Sequence, residues 1–124
     1  MTTIQADTAP RFELPGLAFT GLASPSRGSS HLCTWRLEIE PGFTSLEPHT
    51  LDADEIFMVV VGAIRLHPDD APVTAGDAAV VPAGTPICVS NAGEGAAEVI
   101  VAIAAGFSAT AQDGSEIGTP PWAV

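Results

Sequence analysis

The sequence predicts an all-β fold, a single barrel or sandwich of short strands. Twelve glycines and eleven prolines interrupt a chain of 124 residues at frequent intervals. The apolar runs between these breaks are short, which is typical of β-sandwiches and barrels. A chain of this length can bury one core but not two. We therefore expect a single domain spanning residues 1–124.

The N-terminal part divides into an arm, a loop and one regular strand. Residues 1–10 are small and polar and are expected to be loosely held, whereas residues 11–23 contain short strands broken by Pro15 and Gly16. A loop at 24–30 precedes residues 31–40, in which apolar and polar residues alternate with the period of a strand. One face of that strand carries Cys33, Trp35, Leu37 and Ile39, and the other carries Leu32, Thr34, Arg36, Glu38 and Glu40.

The remaining apolar runs also favour strands. Residues 55–67 are apolar around Gly62, which predicts a buried β-hairpin. Short strands follow before Pro82 and after Pro86, and Val and Ile spacing in 96–107 favours a strand over a helix. The tail, residues 108–124, has no periodicity. Its Trp122 follows two prolines, which indicates an ordered extended segment packed on the barrel or on a partner.

Charge and composition exclude several classes of function. The net charge is −11, with four arginines and no lysine, so binding to nucleic acid or to anionic membrane surfaces is not expected. No apolar stretch is long enough to span a bilayer, and the N-terminus lacks the pattern of a signal peptide, so we expect a cytoplasmic protein. The absence of lysine also excludes a Schiff base and a phosphate-binding loop lysine.

Two segments carry a specific pattern of glycine, proline and polar residues. Residues 41–62 contain His49, Leu51 and Glu55. Six residues separate Glu55 from Gly62. In residues 76–91, Gly76 is followed by five residues and then by Pro82-Ala83-Gly84, Ile87 and Asn91. These segments resemble the two motifs of the cupin superfamily.

The resemblance implies a jelly-roll barrel, the double-stranded β-helix of two facing antiparallel sheets, with a ligand pocket at its mouth. It also implies a homodimer. In cupins three histidines and one glutamate usually bind a divalent metal at the positions of His49, Leu51, Ile87 and Glu55. A rival register places Glu47 and His49 on the paired ligand positions.

Because Leu51 and Ile87 are apolar, no tightly bound cofactor is expected. Two protein ligands rarely hold a metal, since catalytic zinc sites usually have three. If a metal binds, His49 and Glu55 would be ligands, and Glu47 would be a possible third. His31 and His67 are further histidines, but neither stands at a motif position.

His49 and Glu55 are the candidate catalytic residues, as an acid–base pair inside the barrel. Leu51, Phe57 and Ile87 are candidate ligand-binding residues. Arg36 would bind an anionic ligand group if its strand face were the interior. One structural alternative is that His49 is a remnant of an ancestral site, and another is that Glu55 pairs with His49, Arg36 or Arg65. A third is that Arg36 is a solvated residue paired with Glu38 or Glu40.

The sequence therefore favours a small-molecule-binding protein and leaves three functions open. The first is an enzyme of the isomerase, cyclase or lyase type that uses His49 and Glu55 on a small apolar or aromatic substrate. The second is a ligand-binding or sensor protein without catalysis. The third is a metal-dependent enzyme, resembling dioxygenases, with a rearranged ligand set.

Overall fold

A computed structural model of the chain describes residues 1–45 and 47–124. These residues form strands and two single 3₁₀ turns, Pro25–Arg27 and Pro121–Ala123, without an α-helix in the described part. The all-β prediction is confirmed. The strands are β1 Arg11–Leu14, β2 Leu17–Gly21, β3 Leu32–Ile39, β4 His49–Leu51, β5 Glu55–Val61, β6 Ala63–His67, β7 Val73–Thr74, β8 Ala78–Val81, β9 Cys88–Asn91, β10 Ala97–Ala104, β11 Ala109–Ala111 and β12 Glu116–Gly118.

The strands form two facing antiparallel layers. The first layer is one six-stranded sheet in the order β1-β2-β3-β10-β5-β8. The other six strands form two small sheets, β7-β6-β9 and β12-β11-β4. A bridge between His49 and Ile87 joins β4 to β9, and the amide of each residue donates to the carbonyl of the other at 3.0 Å. The second layer thus also has six strands, and the predicted jelly roll is confirmed.

The core lies between the layers and is centred on the pair β3 and β10. Eight residues of β3 pair with eight of β10, and each strand alternates between the core and the outer face. The alternation predicted for β3 is observed, because its four apolar inner residues are at most 4% exposed. On β10 the matching inner residues are Ala97, Val99, Val101 and Ile103.

The predicted hairpin over residues 55–67 is wrong. Strand β5 pairs with β10 and β8 in the first sheet, whereas β6 pairs with β7 and β9 in the second layer. The chain crosses from one layer to the other at Gly62, which has a φ of 78°. A glycine in the left-handed region serves a crossing between sheets as well as a hairpin, so its presence did not distinguish the two.

The asparagine of the second motif, Asn91, clamps one end of the barrel. Its side-chain amide donates to the carbonyls of Ile39, Glu40 and Gly95 at 2.9–3.2 Å, and its Oδ1 accepts the amide of Gly93 at 2.9 Å. The side chain therefore holds the end of β3 against the turn that follows β9. This network adds side-chain hydrogen bonds to the backbone at the end of β3 and in the turn that follows β9.

Strands β1 and β2 and the tail, residues 108–124, all pack on the barrel of this chain. Strands β1 and β2 form a hairpin, and β2 continues the first sheet by pairing with β3. The tail contains β11 and β12 and ends with Trp122 stacked on Phe19 at 3.7 Å between ring centroids. Within the described residues, no helix is long and apolar enough to cross a membrane.

The crossing at Gly62 gives a test of the layered arrangement. A Cβ at Gly62 would lie 3.0 Å from the carbonyl oxygen of Ala96 and 3.2 Å from the Cα of Ala97, whereas one at Gly76 would meet no atom within 4 Å. Both glycines have positive φ, 78° and 92°. Gly76→Ala should therefore lose about 1 kcal/mol from backbone strain, and Gly62→Ala should lose roughly 1–3 kcal/mol more from the clash.

Urea unfolding of the two variants would measure this difference. Equal losses would show that β10 does not approach Gly62 as the structure has it.

Candidate functional site

A cavity of about 310 Å³ lies between the two layers. Its wall is mainly apolar, and it includes five of the seven aromatic side chains in the sequence. The polar residues of the wall are Ser45, His49 and Glu55. A concave, apolar site with a few converging polar groups is typical of small-molecule sites. The aromatic residues of the wall are Phe19, Trp35, Phe57, Phe107 and Trp122.

The four cupin ligand positions converge on this cavity. His49 and Leu51 are two residues apart on β4 and both line the wall, as alternate residues of a strand should. Ile87 pairs directly with His49 through the bridge, and Glu55 begins β5. Phe57 lies two residues beyond Glu55 on the same face of that strand.

The geometry favours the register that places His49 and Leu51 on the paired ligand positions over the one that places Glu47 and His49 there. Glu47 is exposed and lines an outer vestibule, a depression of about 500 Å³ that also includes Asp113 and Gln112. It does not line the inner cavity, whereas Leu51 does. Ser45, His49 and Ile117 border both spaces, so the vestibule and the cavity are adjacent.

The second motif is held against β4 by its turn. The amide of Gly84 donates to the carbonyl of Leu51 at 2.8 Å, and the amide of Ala83 donates to the carboxylate of Asp54 at 2.9 Å. These contacts fix the chain that leads into β9 and so bring Ile87 opposite His49. The proline and glycine of the motif thus position the cavity wall without lining the cavity themselves.

Glu55 has a buried carboxyl group, one oxygen of which lacks a hydrogen-bond partner in the described part of the chain. It is 5% exposed, and its Oε2 has no hydrogen-bond donor among the described residues. Its strand neighbours are Val81 and Ile103. Because burial disfavours the charged form, the pKa of Glu55 is raised to about 7. Protonated and ionised forms are therefore both well populated at neutral pH.

His49 provides a second proton-transfer group on the same wall. Burial lowers its pKa below the ordinary value, because the cationic imidazolium is poorly solvated there. The imidazole is therefore neutral at physiological pH and can accept a proton or a hydrogen bond. A neutral imidazole and a half-ionised carboxyl in one apolar cavity can exchange protons with a bound molecule.

Arg36 is not in the cavity, which corrects the ligand-binding role expected for it. Its strand turns Trp35 and Leu37 inward, so Arg36 lies on the outer face, where its guanidinium is 3.6 Å from the carboxylate of Glu98. The alternative interpretation, in which Arg36 is a solvated residue in an ion pair, agrees better with the structure. Its partner is Glu98 on β10 rather than Glu38 or Glu40. Arg65 donates to the carbonyl of Asp70, so neither arginine neutralises Glu55.

The residues present do not fit the metal that cupins usually hold. Leu51 and Ile87 place aliphatic side chains at two of the four positions, and the described residues contain no group of three or more His, Cys, Asp or Glu arranged to bind an ion. His67 bonds to the hydroxyl of Ser90 at 2.9 Å and does not line the cavity, and His31 is exposed. The expectation of a site without a tightly bound metal stays a prediction.

Sequence reasoning missed one aromatic residue of the cavity wall. Trp122 lines the cavity together with Pro120 and Phe107. The tail was expected to pack on the barrel or a partner, but nothing in its local sequence shows that it reaches the ligand site. The two prolines before Trp122 were the available signal, because they stiffen the segment that presents it.

Comparison with known proteins identifies the family. The sequence profile of the Cupin domain matches residues 35–103, more than half of the chain. The jelly roll and its cavity define a small β-barrel of the kind that binds small molecules. The chain belongs to the cupin family. A search of curated protein sequences gave no significant match.

Solved structures resemble the chain in fold at low sequence identity. The polyketide cyclase RemF from Streptomyces resistomycificus has a TM-score of 0.74 at 13% identity, covering 98% of this chain and 88% of its own. A cupin sugar phosphate isomerase from Silicibacter pomeroyi has a TM-score of 0.70 at 23% identity, covering 89% and 81%. KdgF from Halomonas sp. has a TM-score of 0.66 at 23% identity, covering 84% and 94%.

The raised pKa of Glu55 predicts a specific dependence of stability on pH. Below the unfolded pKa, about 4.5, Glu55 is protonated in both states and its ionisation adds no penalty to folding. As pH rises to about 7 the unfolded state releases the proton while the folded state keeps it, so stability falls. Above pH 7 the folded protein carries a penalty of roughly 3 kcal/mol, taken from the shift in pKa.

Glu55→Gln should therefore gain up to that amount relative to the wild type at pH 8 and little at pH 4.5. Urea unfolding at both pH values measures it, with Glu94→Gln as the control because Glu94 is exposed in a turn. An equal effect of Glu55→Gln at both pH values would contradict the burial of an unpaired carboxyl.

Proposed function

We propose that this cupin is an enzyme of small-molecule metabolism in which Glu55 and His49 transfer protons to and from a small apolar or aromatic substrate. The observation that carries the proposal is the unpaired carboxyl of Glu55, buried in an apolar cavity with a pKa near neutrality. A buried polar atom without a partner costs about 1–3 kcal/mol. Groups with such perturbed pKa values in a cleft are concentrated at functional sites.

The two side chains support acid–base chemistry rather than nucleophilic attack. Near pH 7 the carboxyl of Glu55 can remove a proton from carbon or oxygen in its ionised form and return one in its protonated form. The neutral imidazole of His49 can do the same from the vestibule side. Isomerisation, cyclisation and elimination each need such a paired removal and return of protons, without an external reductant or oxidant.

The cavity favours a neutral substrate. All four arginines are committed elsewhere: Arg11 pairs with Glu13 and Glu38, Arg36 pairs with Glu98, and Arg27 and Arg65 donate to backbone carbonyls. None of them lines the described cavity wall. With a net charge of −11, the protein also repels anions at long range. Phosphorylated substrates therefore fit this cavity poorly.

Two structural neighbours carry reactions of the proposed type in their names, a polyketide cyclase and a sugar phosphate isomerase. The apolar, aromatic wall is closer to what a cyclase acting on an apolar chain would need. Fold alone does not determine function, so this support is secondary to the chemistry of Glu55 and His49.

Proton transfer can be tested with 1-tetralone, a small aromatic ketone whose hydrogens next to the carbonyl exchange slowly in D₂O. We expect the protein to accelerate this exchange, followed by NMR. His49→Ala and Glu55→Gln should each reduce the acceleration by about 10² or more. Arg36→Ala is the matched control, because Arg36 lies on the outer face.

The other two functions give different results in the same experiment. A non-catalytic binding protein would bind 1-tetralone, as measured by calorimetry, without accelerating exchange in any variant. A metal-dependent enzyme would lose the acceleration on treatment with a chelator and regain it with one particular ion. Acceleration that survives both the chelator and the His49 and Glu55 variants would contradict the proposal.

We also propose that the protein is a homodimer that covers the outer face of its first sheet. Met58, Val60 and Val80 are 37%, 55% and 63% exposed, and β5 and β8, which carry them, are neighbours in that sheet. Ile56 pairs with Val80, and both side chains face outward in the same apolar patch. A patch of this kind on an edge of a sheet is typical of an interaction surface.

Light scattering should give twice the 12.6 kDa of one chain. Val80→Lys should shift the protein to the monomer mass, because a charge would be buried in the interface. Ala71→Lys, the same charge change in an exposed loop, should leave the dimer intact. A wild-type mass of one chain would refute the dimer.

Cytoplasmic location and the absence of nucleic-acid and membrane partners remain predictions from the sequence.

A further inference from the structure

Residues 119–124, here called the Trp122 segment, form one wall of the cavity. Pro120 and Trp122 line it. Trp122 stacks on Phe19 with an interplanar angle of 10°, and it meets the edge of Trp35 at 6.4 Å between centroids. Trp35 in turn stacks with Phe107 at 6.0 Å. One end of the cavity is therefore a continuous aromatic surface to which the segment contributes.

The segment is pinned to the barrel by three successive carbonyl groups. Arg27 Nη2 donates to the carbonyl of Trp122 at 2.8 Å, Cys33 Sγ donates to that of Ala123 at 3.3 Å, and Ser24 Oγ donates to that of Val124 at 2.9 Å. Ser24 and Cys33 are fully buried. Burial raises the pKa of the Cys33 thiol, which keeps it protonated as a donor.

Gly21 at the end of β2 leaves room for the contact between Arg27 and the Trp122 segment. A Cβ at Gly21 would lie 2.6 Å from Arg27 Nη2 and 2.9 Å from the carbonyl oxygen of Trp122. A side chain there would displace the contact between Arg27 and the segment. None of the three donors lines the cavity, so the pins act from outside to hold the wall in place.

The indole of Trp122 is not explained by the fold alone. Its Nε1 is buried with no acceptor among the described residues, which costs free energy. A phenylalanine would stack on Phe19 without that cost. Aromatic side chains supply a large, rigid contact surface for planar ligands, and the position of Trp122 in the wall gives its ring that use.

We propose that Trp122 is a ligand-contacting residue and that the cavity takes a neutral planar aromatic molecule whose ring lies against it. The inference rests on the proposed small-molecule site but does not need the proposed proton transfer. The three hydrogen bonds to the carbonyls of residues 122–124 hold the ring at a fixed position. The aromatic wall is therefore preorganised, and binding costs little conformational entropy.

Binding of benzene, naphthalene and 1-tetralone to wild-type and variant proteins tests this, because calorimetry measures affinity without requiring activity. We expect Trp122→Ala to weaken binding of the two bicyclic probes by about tenfold or more, a loss typical of a central aromatic contact. Phe12→Ala is the matched control. Phe12 meets Trp122 at 6.2 Å, but it does not line the cavity, so its loss should leave binding nearly unchanged.

A second measurement covers the case in which Trp122→Ala fails to fold. The sequence has two tryptophans, so Trp35→Phe leaves Trp122 as the only one. Saturation with 1-tetralone, an aromatic ketone that quenches indole emission on contact, should then quench most of the fluorescence.

Three results would overturn the inference: unchanged affinity in folded Trp122→Ala, unquenched Trp122 emission at saturation, or no binding of any of the three probes to the wild type. Loss of exchange activity with binding retained would instead count against the proposed function alone.

Discussion

The pair of backbone hydrogen bonds between His49 and Ile87 closes the second layer of the barrel, and the cavity depends on it. Without this bridge, β7-β6-β9 and β12-β11-β4 would be separate three-stranded sheets facing a single larger one. The bond is made by the main chain, so it does not depend on which side chains occupy the two positions. It brings opposite each other two residues at cupin ligand positions, one of which here is aliphatic.

Leu51 and Ile87, at positions where cupins usually have imidazoles, make the wall of this site apolar. Aliphatic side chains at these positions remove donors and lower the local polarity, and no cation lines the described wall to balance a charge. The remaining carboxyl, Glu55, is then poorly solvated, and its pKa rises to about 7. In a site with a bound metal, the same carboxylate would be held in its ionised form. The apolar residues at two of the four positions thus leave Glu55 and His49 as the titratable groups of the described wall.

Much of the fold could be predicted because the relevant signals are local. The alternation in β3 identified its inner face, and the resemblance of the two motifs to those of cupins implied that His49, Leu51, Glu55 and Ile87 share one site. Arg36 was harder, because alternation shows that two faces differ but charge alone did not exclude an interior arginine. Gly62 marks a turn, yet the sheet that each flanking strand joins depends on pairing with residues far away in sequence. The prediction of a hairpin over residues 55–67 was wrong because it depended on such long-range pairing.

Trp122 shows the same limit at the site itself. Its stack on Phe19 joins residues more than a hundred positions apart, and the donors that pin its segment come from the loop and strand between Ser24 and Cys33. No local pattern encodes such contacts, because each partner is an ordinary residue of a loop or a strand. The same segment supplies part of the cavity wall. Packing that stabilises the barrel therefore also determines the surface that the cavity presents to a ligand. Stability and ligand contact therefore depend on the same residues, and a loosened tail would alter both.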